Sequence, residues 1–175
     1  MKRLSILFAF LITALTTTVA SAQVNKEQMI ADWQRAKAYT KTYLDAMPAD
    51  GYAFKPTPEM RTFAAQMLHL ADGNYSLAGA ATGKPTPLGK VSAEKTIAQT
   101  KEATTKAVMD SFDYVISGLQ GMTQAQLLEI IKFAGKELTK ATVIDKAFEH
   151  QTHHMGQTTV YLRLKGVKPP EQMLF

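Results

Sequence analysis

Apolar residues recur at steps of three and four along almost the whole chain, and this spacing restricts the fold to packed helices. Met29, Trp33, Ala36, Thr40, Tyr43 and Met47 form the first stripe, which Pro48, Gly51 and the Lys55-Pro56 pair interrupt. A second helix is expected to start with Thr57 as N-cap, Pro58 at the first helical position and Glu59 near the positive dipole end. Its stripe is Phe63, Met67, Leu70, Ala71 and Ala78, ended by Gly83-Lys84-Pro85 and Pro87. Ser92 is expected to cap a third helix that buries Ile97, Thr104, Val108, Phe112, Val115 and Leu119 and stops at Gly121. Thr123 and Gln126 have the spacing of a capping box, and residues 128–133 suit either a turn of helix or an extended piece. Thr139 opens a fourth helix that runs to about Lys165, where Gly166 suits a C-terminal cap and Pro169-Pro170 prevents continuation. Four long helices without a convincing sheet predict an all-α four-helix bundle.

The first 22 residues stand apart from this pattern. Lys2 and Arg3 give a positive start, residues 4–15 are almost unbroken apolar sequence, and Ala20-Ser21-Ala22 is a small-x-small cleavage site. Thr16-Thr17-Thr18 ends the apolar run short of the roughly 20 residues that span a bilayer. A signal peptide over residues 1–22 is therefore expected, with a single domain over residues 23–175 and a periplasmic or secreted product that keeps no membrane span. Loss of Lys2 and Arg3 lowers the formal charge from +5 to +3, since no acidic residue leaves with them. Such a charge, without a basic stripe, argues against nucleic-acid binding. There is no cysteine, so the domain rests on its core alone and any metal must be held by His, Asp or Glu.

The expected fourth helix concentrates the chemistry. Val143, Ala147, His150, His154, Thr158 and Tyr161 follow one another at helical steps and share one face. His150 and His154 are thus one turn apart on a face that points at the core, near enough for both rings to reach one cation. Two hydrogen-bonded core histidines would produce the same pattern, although a shared metal satisfies paired neutral imidazoles more simply. His153 falls off that line. His69, on the second helix, lies beside the main stripe, where it can be a surface residue or can face another helix. Tyr161 and Trp33 read as core residues.

The stretch His150-Gln151-Thr152-His153-His154-Met155-Gly156-Gln157, with Tyr161-Leu162-Arg163 and residues 166–170, resembles the last helix of the DinB/YfiT-like superfamily. Phe54-Lys55-Pro56-Thr57-Pro58-Glu59, Phe63 and Leu68-His69-Leu70 resemble its earlier part, in the right order. The resemblance implies a four-helix bundle with one divalent metal held by His69, His150 and His154. Met155 departs from the pattern, since many relatives have arginine there.

Three neutral imidazoles would leave a cation its full charge and an open position, as in a catalytic site, and they suit zinc, nickel or iron. The resemblance further implies a metal-dependent enzyme of thiol-dependent transferase or hydrolase type, acting on a small molecule with a low-molecular-weight thiol as partner. The alternative is a non-catalytic metal- or ligand-binding bundle linked to stress. No general base is evident. Gln157, on the histidine face, and Asp72, one turn beyond His69, are candidates to orient ligands. Bundles of this kind often pair, so a homodimer is also expected, although no extra apolar face marks one.

Overall fold

The structure, a computed structural model, describes residues 24–175; the expected signal peptide, residues 1–22, lies outside them. Four long helices dominate: α1 (Lys26–Ala46), α2 (Phe63–Thr82), α4 (Lys101–Gln120) and α6 (Lys140–Leu164). Two short helices, α3 (Ala93–Thr96) and α5 (Gln124–Leu127), and a hairpin of β1 (Ile130–Phe133) and β2 (Lys136–Thr139) fill the connections. Among the described residues no helix is long and apolar enough to cross a membrane.

The long helices form a ring in the order α1, α4, α2, α6, so helices consecutive in sequence need not be neighbours. Side-chain pairs fix the directions. Tyr43 meets Thr159 and Trp33 meets Phe148, so α1 and α6 run together. Asn74 bonds Ser111 and Lys84 bonds Ser117, so α2 and α4 also run together. Arg61 is tied to Tyr161 while Gln66 reaches His154, so α2 and α6 are antiparallel. Helix α2 has neighbours on two sides and buries residues around most of its circumference, from Phe63 and Ala64 to Asn74, Tyr75 and Ala81. Trp33 sits edge-on to both Phe112 (5.7 Å) and Phe148 (5.4 Å), joining three helices at the centre of the core.

Several local expectations hold. Thr139 caps α6 through the Thr142 N–H, and Thr123 and Gln126 form the reciprocal capping box of α5. Gly166 takes a left-handed φ of 72° while the Val167 N–H returns to the Leu162 carbonyl, closing α6.

Three differ. Helix α2 starts at Phe63 with Thr62 as its cap, not at Thr57. The N–H groups of Phe63 and Ala64 bond to the carbonyls of Phe54 and Tyr52, so a folded-back loop supplies the partners that the first turn lacks. Ser92 heads only the four-residue α3; the backbone is extended at Ile97, and the long helix begins after Thr100, which caps the Ala103 N–H. Residues 130–133 are a strand paired antiparallel with residues 136–139, where no sheet was expected. Ala134 and Gly135, with φ of 49° and 76°, both take the left-handed backbone region, as a two-residue turn matched to the right-handed twist of paired strands requires.

The aromatic centre sets a stability expectation. Phe112 is fully buried, so Phe112→Ala should cost about 3–5 kcal/mol. Urea unfolding followed by emission of Trp33, the only tryptophan, would measure it. A loss below about 1 kcal/mol would contradict this packing.

Candidate metal centre

The antiparallel contact of α2 and α6 sets His69 against His150 and His154. The ring centroids are 4.4 Å apart for His150 and His154, 4.6 Å for His69 and His154, and 5.3 Å for His69 and His150. One nitrogen from each ring lies within 4.8 Å of the others, a set that could hold a metal ion. His69 therefore faces the neighbouring helix, with part of its side chain still open to solvent. His153, exposed and 5.0 Å from the His154 ring, stays outside the group.

Glycine makes the approach possible. Gly73 lies one turn beyond His69, and a Cβ there would overlap the Cε1 and Nδ1 atoms of His150. Buried His150 Nδ1 has no hydrogen-bond partner. An orphaned imidazole nitrogen beside two further imidazoles fits a cation, which needs only a lone pair. Burial, then the charges His69 and His153 would carry, lowers the His150 pKa. His154 is pushed down to about 3, first by burial and then by His150 and His69. Both are neutral near pH 7, the state a metal ligand requires.

Each flank of the trio is braced. On one side His69 Nδ1 is 3.2 Å from Glu94 Oε2, and Glu94 Oε1 accepts from Arg61 Nε at 2.8 Å. Asp72, expected near His69, instead accepts from the Ser92 hydroxyl and from the N–H groups of Ala93 and Glu94. It fastens α3 to α2, and α3 in turn presents Glu94; the carboxylate beside His69 is therefore Glu94. On the other side the amide of Gln66, 2% exposed, lies 3.0 Å from His154 Nδ1 and also bonds Gln157. Gln157 in turn contacts His153 Nε2 at 2.9 Å. Gln66 Nε2 faces both His154 Nδ1 and Gln157 Oε1, so this one amide group pins the His154 ring to the side chain across the helix pair.

Sequence reasoning missed Arg61, Gln66 and Glu94. Gln66 had a local signal, because it precedes His69 by three residues and shares its helix face. Arg61 and Glu94 had none, since a loop and a separate short helix bring them in.

Two predictions follow from this geometry. Gly73→Ala should retain the helical circular dichroism spectrum yet weaken zinc binding by roughly tenfold or more, because His150 is displaced; unchanged affinity in a chelator competition would contradict the fit. The second concerns pH. The ordinary imidazole value is 6.5, and His154 stands at about 3 in the fold. Between those values the unfolded chain binds a proton that the folded chain refuses. Stability from this group is therefore complete above about 6.5 and declines as pH falls toward 3. The melting temperature of metal-free protein should drop from pH 7 to pH 4.5, and less steeply in His154→Gln; equal slopes would exclude His154 as a cause.

The sequence profile of the DinB family matches residues 20–173. No curated protein matches the chain. Among solved structures, a DinB-like protein from Bacillus cereus ATCC 10987 superposes with a TM-score of 0.72 at 19% identity, covering 83% of this chain and 96% of that one. A DinB-like protein from Bacillus subtilis, YjoA, gives 0.67 at 18% identity over 85% and 96%. At such identities these two likenesses show the fold alone, whereas the profile match spans nearly the whole chain: the protein belongs to the DinB family.

Proposed function

We propose that this is an exported metalloenzyme in which His69, His150 and His154 hold one divalent cation. A small molecule would react there by thiol-dependent transfer or by hydrolysis. The observation that carries the reading is the convergence of three imidazoles from two helices, two of them held neutral by burial. Three protein ligands leave a divalent cation at least one position for water or substrate, and an all-imidazole set suits zinc, nickel or iron.

When bound, the metal would supply Lewis acidity, polarising a substrate carbonyl or lowering the pKa of a coordinated thiol or water. The chain's own groups do the positioning. Glu94 accepts the Nδ1 N–H of His69, which leaves Nε2 with a lone pair for the cation. Gln66 holds the His154 ring in place through its Nδ1, and Gln157 steadies Gln66. The chain offers no thiol, so a thiol-dependent reaction draws a low-molecular-weight thiol from outside. The signal-like residues 1–22 support export to the periplasm or beyond, with a mature chain starting at Gln23 and carrying no nucleic-acid-binding charge pattern. A homodimer accords with the habit of such bundles.

Protein purified from an exporting host should begin at Gln23 and contain one metal per chain. His69→Ala, His150→Ala and His154→Ala should each lower metal content sharply. A screen of thiol-transfer and ester- or amide-cleavage substrates, with and without chelator, should reveal a chelator-sensitive activity. Stoichiometric metal without any such activity would favour a non-catalytic binding bundle, and full metal content in the alanine variants would sink the site itself.

A further inference from the structure

We propose that Arg61 forms an anion subsite beside the three histidines and that the groove it borders takes a small molecule bearing a carboxylate. This rests on the reading of the histidines as a metal centre and adds the class of substrate.

The groove, of about 870 Å3, has His69 in its wall. Its lining includes four cationic side chains, Arg61, Lys84, Lys90 and Lys95, and two carboxylates, Asp72 and Glu94. Both carboxylates are engaged. Asp72 accepts from three donors at the head of α3, and Glu94 is shared between Arg61 and His69. Lys84 Nζ donates to the Ser117 hydroxyl and lies 4.9 Å from the Tyr114 ring centre, with no anion as partner among the described residues. Lys90 and Lys95 form no side-chain hydrogen bond or ion pair among the described residues. Four cationic side chains against two carboxylates leave the lining with an excess of positive charge, a field that draws anions.

Arg61 gives this field a point of recognition. Its position is fixed twice: its carbonyl accepts from the Tyr161 hydroxyl at 3.0 Å, and its Nε donates to Glu94. Its Nη2 is 3.3 Å from His69 Nδ1, the same nitrogen that lies 3.2 Å from Glu94 Oε2. One ring nitrogen cannot accept from the guanidinium and donate to the carboxylate at once. A His69 that offers Nε2 to a cation carries its proton on Nδ1, and that proton goes to Glu94. Arg61 Nη2 is then released from His69, while Nη1 has no acceptor among the described residues. The side chain is 40% exposed, so its outer donors can be reached while its inner edge stays tied to Glu94. Two nitrogens in a fixed planar fork match the two oxygens of a carboxylate. Arg61 also borders a second hollow of about 660 Å3, lined by Glu59, Gln66, Glu94 and Gln157, so its guanidinium stands between two openings.

The test uses cobalt-loaded full-length protein and two thiols of equal length, 4-mercaptobutyrate and its neutral amide, 4-mercaptobutanamide. Binding is read from the cobalt absorption spectrum. The acid should bind about tenfold more tightly than the amide, the scale of one charge-assisted bidentate contact. In Arg61→Gln the ratio should fall to near one, whatever the absolute affinities. Arg61→Lys, which keeps the charge but not the fork, should give an intermediate ratio and serves if the glutamine variant fails to hold cobalt. Added salt should shrink the wild-type ratio. Equal binding of both thiols by the wild type would overturn the subsite while leaving the metal centre intact. A ratio unchanged in both variants would remove Arg61 from the account. Silence of the cobalt spectrum to both thiols would overturn the thiol reading and this one together.

Discussion

The site depends on the antiparallel contact between α2 and α6. Three imidazoles meet there because Gly73 leaves room for His150, which a side chain at that position would occupy. Charged together, the rings would repel one another in a half-buried setting; kept neutral, each has a lone pair to offer. Burial does the larger part of that work, as the direction and first cause of the shifts at His150 and His154 agree. The same helix pair also binds the backbone ahead of α2, through the Tyr161 hydroxyl and the Arg61 carbonyl. Packing and ligand geometry are therefore one constraint.

Around that contact the loops act as braces. The connection after α2 returns α3 to its flank, where Asp72 receives the N–H groups at the head of the short helix. This places Glu94 against His69 and Arg61. On the opposite flank no loop is needed, because Gln66 and Gln157 reach each other directly across the two helices. One brace is charged and partly open to solvent, and the other is neutral, with Gln66 buried and Gln157 exposed. Such bracing orients the three rings, while the groove bordered by Arg61 leaves one side of His69 accessible.

Much of this was legible in the chain itself. The stripes through Trp33, Met67, Phe112 and Tyr161 mark residues that are buried, because apolar periodicity and burial are the same physics seen twice. Thr139, the Thr123–Gln126 box and Gly166 were readable because caps are local. The start of α2 was not, since its first N–H groups bond to Tyr52 and Phe54, partners that only the folded loop supplies. The hairpin was missed because its strands are four residues each, half-exposed and joined by Ala134-Gly135 rather than a common turn pair. His150 and His154 were visible as a pair because one helix places both. His69 read either way by periodicity, since α2 has neighbours on two sides, and Glu94 and Arg61 belong to the site only through tertiary contacts.

The central claim is that His69, His150 and His154 bind one cation together. Zinc K-edge X-ray absorption on the zinc-loaded protein tests it most directly. The account predicts three imidazole nitrogens in the first coordination sphere, with distances of about 2.0–2.1 Å. A sphere with fewer than three imidazoles, or one that keeps all three when His69 is replaced by alanine, would contradict it.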